Sequence, residues 1–236
     1  MTDILILTHI DYCPAGHLAR VLDEHQLDFQ VLRVDLGELD GYDLDRPRAV
    51  AVMGGPMSVN DPLPWIATEI AALRHFIHRD IPLIGHCLGG QLLAKALGAR
   101  VHRMPYTEVG WQPLNRSYQA AANPWLTHLP EEFVVYQWHS DTFDLPQGAE
   151  RLLSSPWCPN QAFTWGDKVL ALQGHPEMTE ELVRLWLSDW AHLLDETQSS
   201  QQSRRQMLAD LPDKVASLNQ VAEHFYRHWL GLAQLI

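Results

Sequence analysis

A cysteine in a turn between two glycines is the first group in this sequence that could do chemistry. Residues 82–94 read PLIGHCLGGQLLA, in which Cys87 stands between Gly85 and Gly89. The apolar run before it is typical of a buried strand and the run after it of a helix, so Cys87 should occupy a sharp strand–turn–helix corner. Backbone N–H groups at a helix N-terminus favour a thiolate, and the pattern therefore predicts a nucleophile. The alternative is a small buried cysteine beside a tight turn, which is how most free cysteines behave.

A histidine and a glutamate in the segment VLALQGHPEM could complete such a site. His175 ends an apolar strand-like run, and Glu177 follows two residues later. A thiolate that attacks a carbonyl needs a proton-transfer partner and an orienting carboxylate. Residues i and i+2 of an extended chain project from the same side, so Glu177 could hold one imidazole nitrogen while the other faces Cys87. A solvated histidine–glutamate pair in a loop is the alternative.

Hydrogen-bond donors for a developing oxyanion are predicted where the apolar run AVAVM ends in Gly54, Gly55 and Pro56. Ligands collect at the carboxyl ends of the strands in open parallel sheets. The N–H of Gly55 and the N–H of Leu88, directly after the cysteine, would form a donor pair. Read alone, GGP is also ordinary turn chemistry.

Strands and helices that could position these groups alternate over roughly the first hundred residues. Near-continuous Val, Ile and Leu runs suit strands that are covered on both faces, which predicts a doubly wound parallel sheet. From about 100 to 175, strand-like segments separated by Pro, Gly and Asn predict antiparallel or mixed strands, with WGDK as a hairpin turn. The polar stretch DETQSSQQSRRQ is the linker candidate, and the amphipathic segment after it should pack on the body or on a second subunit.

These patterns predict an α/β fold with a mixed, mostly parallel central sheet flanked by helices. We expect one domain over residues 1–194, followed by a linker and a C-terminal helical extension over 195–236 that packs on it.

Composition limits the partners. A net charge of −12 would repel a nucleic-acid backbone. The N-terminus lacks the basic flank of a signal peptide, and no apolar run approaches the ~20 residues of a membrane span, so we expect no membrane partner and a cytoplasmic location. The 3 cysteines contain no C-x-x-C pair, which predicts free thiols.

Taken together, the motifs GGP, G-x-C-L-G-x-Q and Q-x-H-P-E, in this order, resemble those of the class I (triad) glutamine amidotransferases over residues 1–190. The chain looks most similar to free-standing members that resemble the amidotransferase domain of GMP synthase, which carry segments like EVGW and WHSDTF. The resemblance implies a flavodoxin-like fold and attack of Cys87 on the side-chain amide of glutamine. It also implies proton transfer by His175, orientation by Glu177, a γ-glutamyl thioester, and neither a metal nor an organic cofactor.

The resemblance extends to substrate contacts. Gln91 matches the family glutamine that touches substrate, and the segment after His139 matches the one that receives the amino-acid end of glutamine. His139 itself could touch substrate or only brace that segment. The residues expected to bind substrate are Gly54, Pro56, Gln91, His139, Ser140 and Asp141.

Three residues depart from the family pattern. His86 and Gly90 stand in GHCLGGQ where the family commonly has G-I-C-L-G-H-Q, and Gly174 replaces the aromatic residue of Q-F-H-P-E. The three catalytic groups are kept, so these changes predict a differently shaped substrate pocket.

The absence of a P-loop motif leaves the acceptor open, because a complete glutamine-dependent synthase couples this chemistry to a synthetase. Either a separate synthetase or acceptor subunit receives the ammonia, or the chain is a γ-glutamyl hydrolase with a wider pocket. Two further functional alternatives are a non-catalytic regulatory module and a protein similar to the DJ-1/PfpI group. The C-terminal helix could also form a homodimer.

Two other groups of residues could form binding sites, but each has a simpler explanation. A zinc site could use histidine and cysteine ligands, but no ligand pair has the short spacing of a structural site. Its candidate ligands would be His86, Cys87, His139 and His175. A stacking platform for sugars or bases could use several tryptophans, although aromatic packing at the rim of the core explains them as well. The tryptophans concerned are Trp125, Trp138, Trp157 and Trp165.

Overall fold

One sheet organises the computed structural model, which describes residues 3–236. Within that range the strand order is β2-β1-β3-β4-β9-β8-β7-β5-β6. The strands are β1 (Ile4–Thr8), β2 (Phe29–Arg33), β3 (Ala49–Val52), β4 (Leu83–His86), β5 (Val101–Arg116), β6 (Glu132–Phe143), β7 (Ala149–Ser154), β8 (Ala162–Trp165) and β9 (Val169–Leu172). The pairs from β2 to β9 in this order are parallel, and those from β9 to β6 are antiparallel.

Helices cover both faces of the sheet. They are α1 (His17–Glu24), α2 (Pro64–His78), α3 (Leu88–Ala96), α4 (Glu180–Asp189), α5 (Arg204–Leu208) and α6 (Leu211–Leu232). Side chains of α2 and α3 fill one apolar core, and side chains of α1, α4, α5 and α6 fill the other. This arrangement confirms the predicted α/β domain with its mixed sheet, which is curled. No helix in the described range is long and apolar enough to cross a membrane.

The sequence patterns located most strands but not β7. The segment AERLLS does not have a strand-like pattern, because charged Glu150 and Arg151 interrupt its apolar residues. It forms a strand because β5 pairs with it on one side and β8 on the other. The predicted WGDK hairpin is present between β8 and β9, and Trp165 pairs with Val169 across it.

The polar stretch after α4 is held against β5. The N–H of Val109 donates to the Ser200 carbonyl at 3.0 Å, and the N–H of Gln202 donates back to the Val109 carbonyl at 3.0 Å. Beyond it, α6 contributes to the same core as α1 and α4, and Trp229 donates from Nε1 to the Pro82 carbonyl at 3.0 Å. The division into a domain and an extension at residue 194 stays a prediction.

Glycines let α3 lie unusually close to the sheet. A Cβ on Gly89 would lie 2.1 Å from the Val52 carbonyl oxygen in β3, and one on Gly90 would lie 2.5 Å from the Leu172 carbonyl oxygen in β9. Gly174 is similarly confined, because its Cβ would lie 2.6 Å from Nε2 of Gln137. Two departures from the family motifs therefore lie where a larger side chain would collide with neighbours: Gly90 faces the backbone of β9, and Gly174 faces the side chains of Gln137 and Val135.

We expect Gly89→Ala to destabilise the fold by about 1–3 kcal/mol, because the added methyl group must push α3 off the rigid backbone of β3. Gly231→Ala is the control: among the described residues, no atom beyond its chain neighbours and the adjacent backbone of α6 lies within 4 Å of its Cβ position. There alanine should raise stability by about 0.5 kcal/mol through helix propensity. Urea unfolding of both variants checks this, and equal effects would contradict the close packing of α3.

Candidate active site

Cys87 occupies the corner between β4 and α3 in a strained backbone conformation. Its φ is 49° and its ψ is −107° at the position that caps α3. A non-glycine residue in such a region costs on the order of 1–3 kcal/mol and persists only where neighbours enforce it. Here the Cys87 N–H donates to the Leu172 carbonyl at 2.8 Å, and its carbonyl accepts from the Gln91 N–H at 2.9 Å. The thiol is therefore held at the N-terminus of α3.

His175 and Glu177 reach the same place from β9. His175 Nδ1 lies 2.8 Å from Glu177 Oε1, and the imidazole lines the same cavity as the Cys87 thiol, which is close enough to raise the pKa of His175. A Cβ on Gly54 would lie 3.0 Å from His175 Cε1 and 3.7 Å from Cys87 Cβ, so both side chains converge on that glycine. Strands β4 and β9 are parallel neighbours, which brings the ends of both strands to one edge of the sheet.

The buried side chains of His175 and Glu177 each stabilise the charged form of the other. Burial alone would lower the pKa of His175, but the Glu177 carboxylate and Cys87 raise this pKa to about 10. Burial would likewise raise the pKa of Glu177, but His175 and His86 together lower it. At neutral pH the pair is therefore an imidazolium and a carboxylate, and His175 has a proton to give.

His86 is a second histidine beside the Glu177 carboxylate. It is fully buried, and its Nδ1 lies 3.4 Å from Glu177 Oε2. Burial lowers the pKa of His86 to about 4; Glu177 offsets this only in part and His175 reinforces it. Its ring centroid is 5.8 Å from that of Tyr226, which α6 supplies. Its placement next to the nucleophile was visible in the sequence as a departure from the family pattern, whereas its contact with Glu177 was not.

A cavity of about 280 Å³ opens in front of the thiol. Most of the residues expected at the site line it, and these are Gly55, Pro56, Cys87, Gln91, His139, Ser140, Asp141 and His175. Gly54, Leu88 and Glu177 are not among the lining residues. The lining residues that sequence reasoning missed are Cys13, Met57, Ser58, Arg103, Trp138, Trp186, Trp190 and Leu193.

The loop after β3 that contains Gly54 and Gly55, called here the glycine loop, is hydrogen-bonded to a buried histidine. His9 Nδ1 lies 3.1 Å from the Gly54 carbonyl oxygen, and its Nε2 lies 3.0 Å from Glu69 Oε2. Burial would lower the pKa of His9, but Glu69 and the Gly54 carbonyl raise it. Because both ring nitrogens face oxygen acceptors, a protonated His9 donates to each of them. His9 follows β1 directly, and this position at a strand end was the signal available in the sequence.

Gln91 links the nucleophile helix to the segment after His139. Its Nε2 donates to the Asp141 carbonyl at 3.2 Å and to Gln173 Oε1 at 3.3 Å. The Asp141 side chain accepts from Ser58 Oγ at 2.6 Å. Gln173 also donates from Nε2 to the Cys87 sulfur at 3.8 Å, so the polar groups near the thiol are already hydrogen-bonded to one another.

A second group of cysteine, histidine and glutamate lies nearby. Glu108, His139 and Cys158 are buried, with potential ligand atoms within 4.8 Å of one another. The Glu108 carboxylate already accepts from His139 Nε2 at 2.9 Å, from Gln161 Nε2 at 2.6 Å and from Ser155 Oγ at 2.6 Å. Burial raises the pKa of the Cys158 thiol to about 11. Cys158 does not line the cavity, and we interpret the group as a brace for the His139 segment.

The four tryptophans considered for a stacking platform have different surroundings. Trp125 is buried in the core, and Trp138 lines the cavity. Trp157 packs against Tyr106, and Trp165 donates from Nε1 to a loop carbonyl. Their positions favour individual packing roles.

Comparison with known proteins identifies the family. Residues 10–184 match the family described as glutamine amidotransferase class-I. The chain belongs to this family. The glutamine amidotransferase-like protein YfeJ of Salmonella typhimurium is 29% identical over 184 residues, which cover 75% of this chain and 76% of YfeJ. The GMP synthase [glutamine-hydrolyzing] of Thermomicrobium roseum is 34% identical, but the match covers 60% of this chain and only 27% of that protein.

Solved structures of glutamine amidotransferases have the same fold. The glutamine amido transferase from Methylobacillus flagellatus is 36% identical, has a TM-score of 0.94, and is matched over 98% of this chain and 95% of that one. The glutamine amidotransferase from Thermotoga maritima is 26% identical with a TM-score of 0.87, over 99% and 98% of the two chains. The structural match extends over α5 and α6, well beyond the region that defines the family.

Iodoacetamide should modify Cys87 of the native protein before the other two thiols. Burial raises the pKa of both Cys13 and Cys158, which keeps their thiols protonated. Mass spectrometry of tryptic peptides after brief exposure measures the rates. Cys87→Ala should remove the fast reaction and Cys158→Ala should keep it, whereas equal rates at Cys13 and Cys87 would contradict the proposed difference.

Acid should destabilise the fold through His86. Because the pKa of His86 drops from 6.5 to about 4 on folding, only the unfolded chain takes up this proton between those values. Stability therefore falls as pH falls through that window, by on the order of 2 kcal/mol between pH 7 and 5. His86→Ile, which restores the residue common in the family, should show a smaller loss in denaturant unfolding. Exposed His78→Gln is the control, and identical pH dependence in all three proteins would refute this assignment.

Proposed function

We propose that this protein hydrolyses the γ-amide of a γ-glutamyl compound, of which glutamine is the simplest, through a thioester on Cys87. The observation that carries the proposal is the convergence of the Cys87 thiol with the buried His175–Glu177 pair at one cavity. Membership of the class-I amidotransferases and the similarity to glutamine-hydrolysing GMP synthases support the same chemistry.

The reaction uses the three groups in sequence. The Cys87 sulfur attacks the amide carbon, and the N–H groups of Gly55 and Leu88 stabilise the oxyanion. His175 then gives its proton to the amide nitrogen, the carbon–nitrogen bond breaks, and ammonia or an amine leaves. A water molecule, deprotonated by His175, attacks the thioester carbon, and the carbon–sulfur bond breaks to release glutamate and leave Cys87 as a thiolate beside the protonated imidazole. Glu177 keeps the imidazole oriented and stabilises its charged form throughout.

The charged end of the substrate would lie on the polar side of the cavity. Arg103 supplies a cation for the α-carboxylate, and Asp141 supplies a carboxylate and a backbone carbonyl for the α-ammonium group. Ser140, in the segment that follows His139, lines the same cavity, and its hydroxyl shares a 3.0 Å hydrogen bond with the hydroxyl of Thr107.

The fate of the released nitrogen separates two versions of this function. Either a separate synthetase or acceptor subunit takes up ammonia, or hydrolysis is the whole reaction. The GMP synthase relatives are matched over about a quarter of their length, so their acceptor chemistry is not carried over to this chain. A homodimer and a cytoplasmic location remain predictions.

Cys87→Ala should abolish release of glutamate from glutamine, because it removes the proposed nucleophile, and the Cys13 thiol in the same cavity is kept protonated by burial, which raises its pKa. Glu177→Gln should retain part of the activity, with a loss on the order of 10²–10⁴-fold, since an orienting group is partly replaceable. Coupled glutamate assays with purified protein measure both. Exposed Glu181→Gln on α4 is the matched control; full activity of Cys87→Ala would end the proposal.

A further inference from the structure

One side of the cavity is a wall of tryptophans. The ring centroids of Trp138 and Trp186 are 6.1 Å apart, those of Trp138 and Trp190 are 6.0 Å apart, and those of Trp186 and Trp190 are 5.2 Å apart. All three side chains line the cavity together with Leu193. Polar and charged groups are concentrated in the rest of the lining, including Arg103.

This wall lies on the side from which the amine departs. The edge of the Trp186 ring meets the His175 ring, with centroids 4.8 Å apart and planes at 89°. Under the proposed function, His175 is the group that gives a proton to the leaving nitrogen. Whatever substituent that nitrogen carries must therefore pass beside Trp186 and its neighbours, while the glutamyl end occupies the polar side.

Core packing explains only part of the wall. Trp186 is buried, and its Nε1 donates to the Tyr12 carbonyl at 2.7 Å. Trp138 and Trp190 are only partly buried, and Leu193 is 62% exposed. Departing ammonia is small and polar and gains nothing from such a surface, whereas an apolar amine would bury carbon against it.

We infer that the preferred substrate is a γ-glutamyl amide whose amine carries an aromatic or other apolar group. The inference rests on the proposed function and narrows it. Cys87 forms the thioester as the carbon–nitrogen bond breaks, His175 protonates the nitrogen, and a primary amine leaves across Trp138, Trp190 and Leu193. Water then hydrolyses the thioester to glutamate, so the reaction consumes only the amide and water and needs no oxidant.

The test compares three substrates of the full chain: glutamine, γ-L-glutamyl-methylamide and γ-L-glutamyl-benzylamide. Glutamate release gives kcat/KM for each. The benzylamide should exceed the methylamide by about tenfold or more, which is the discrimination that an apolar pocket provides for added carbon. Equal values for all three would overturn the inference and leave the proposed function standing. No glutamate from any of them would overturn both.

Substitutions test whether the tryptophan side of the cavity causes the preference for the benzylamide. Trp190→Ala and Leu193→Ser should each lower the ratio of benzylamide to methylamide kcat/KM severalfold, and Leu193 is exposed enough for its replacement to leave folding unaffected. Trp165→Ala removes a partly buried tryptophan from β8, outside the cavity lining, and should keep the ratio. An unchanged ratio in folded Trp190→Ala and Leu193→Ser would refute the assignment of the amine to this wall.

Discussion

The contact between α3 and the sheet is the constraint on which the site depends. The helix backbone touches β3 through Gly89 and β9 through Gly90, with no side chain between them. So short a distance leaves no room for a relaxed connection from β4 to α3. Cys87 therefore takes a positive φ, and hydrogen bonds to β9 and within the first turn of α3 hold it there. The strained conformation that turns the buried Cys87 side chain toward the cavity is maintained by packing elsewhere in the molecule.

The order of strands supplies the other half of the site. Strands β4 and β9 are distant in the chain but adjacent in the sheet, and because they are parallel their carboxyl ends lie together. In the chain, β5 to β8 are inserted between β4 and β9, and the side of the cavity that carries His139 and Asp141 comes from this insertion. A histidine at the end of β9 consequently faces a thiol at the end of β4, at the edge where open α/β sheets bind ligands.

Three ionisable side chains close to Cys87, those of His86, His175 and Glu177, are buried away from solvent. Glu177 has His175 on one oxygen and His86 on the other, and each histidine responds differently to the same carboxylate. His175 is held charged, while His86 is held neutral by burial. Tyr226 on α6 closes this region, so the C-terminal helix borders the catalytic carboxylate as well as the apolar core. Removing either His175 or Glu177 leaves its partner's charge buried without that contact, which makes this pair sensitive to single substitutions.

The sequence by itself determined the alternation of strands and helices, the corner at Cys87, the His175–Glu177 pair and the family resemblance. Each depends on residues close together in the chain, where periodicity and turn chemistry have direct physical meaning. It did not indicate β7, whose charged residues hide a strand that its neighbours impose, or the docking of Ser200 and Gln202 on β5. His9 under the glycine loop, His86 against Glu177 and the wall of Trp138, Trp186 and Trp190 likewise depend on distant segments meeting. Only tertiary structure decides such contacts, because burial and the distance between charges are properties of the folded chain.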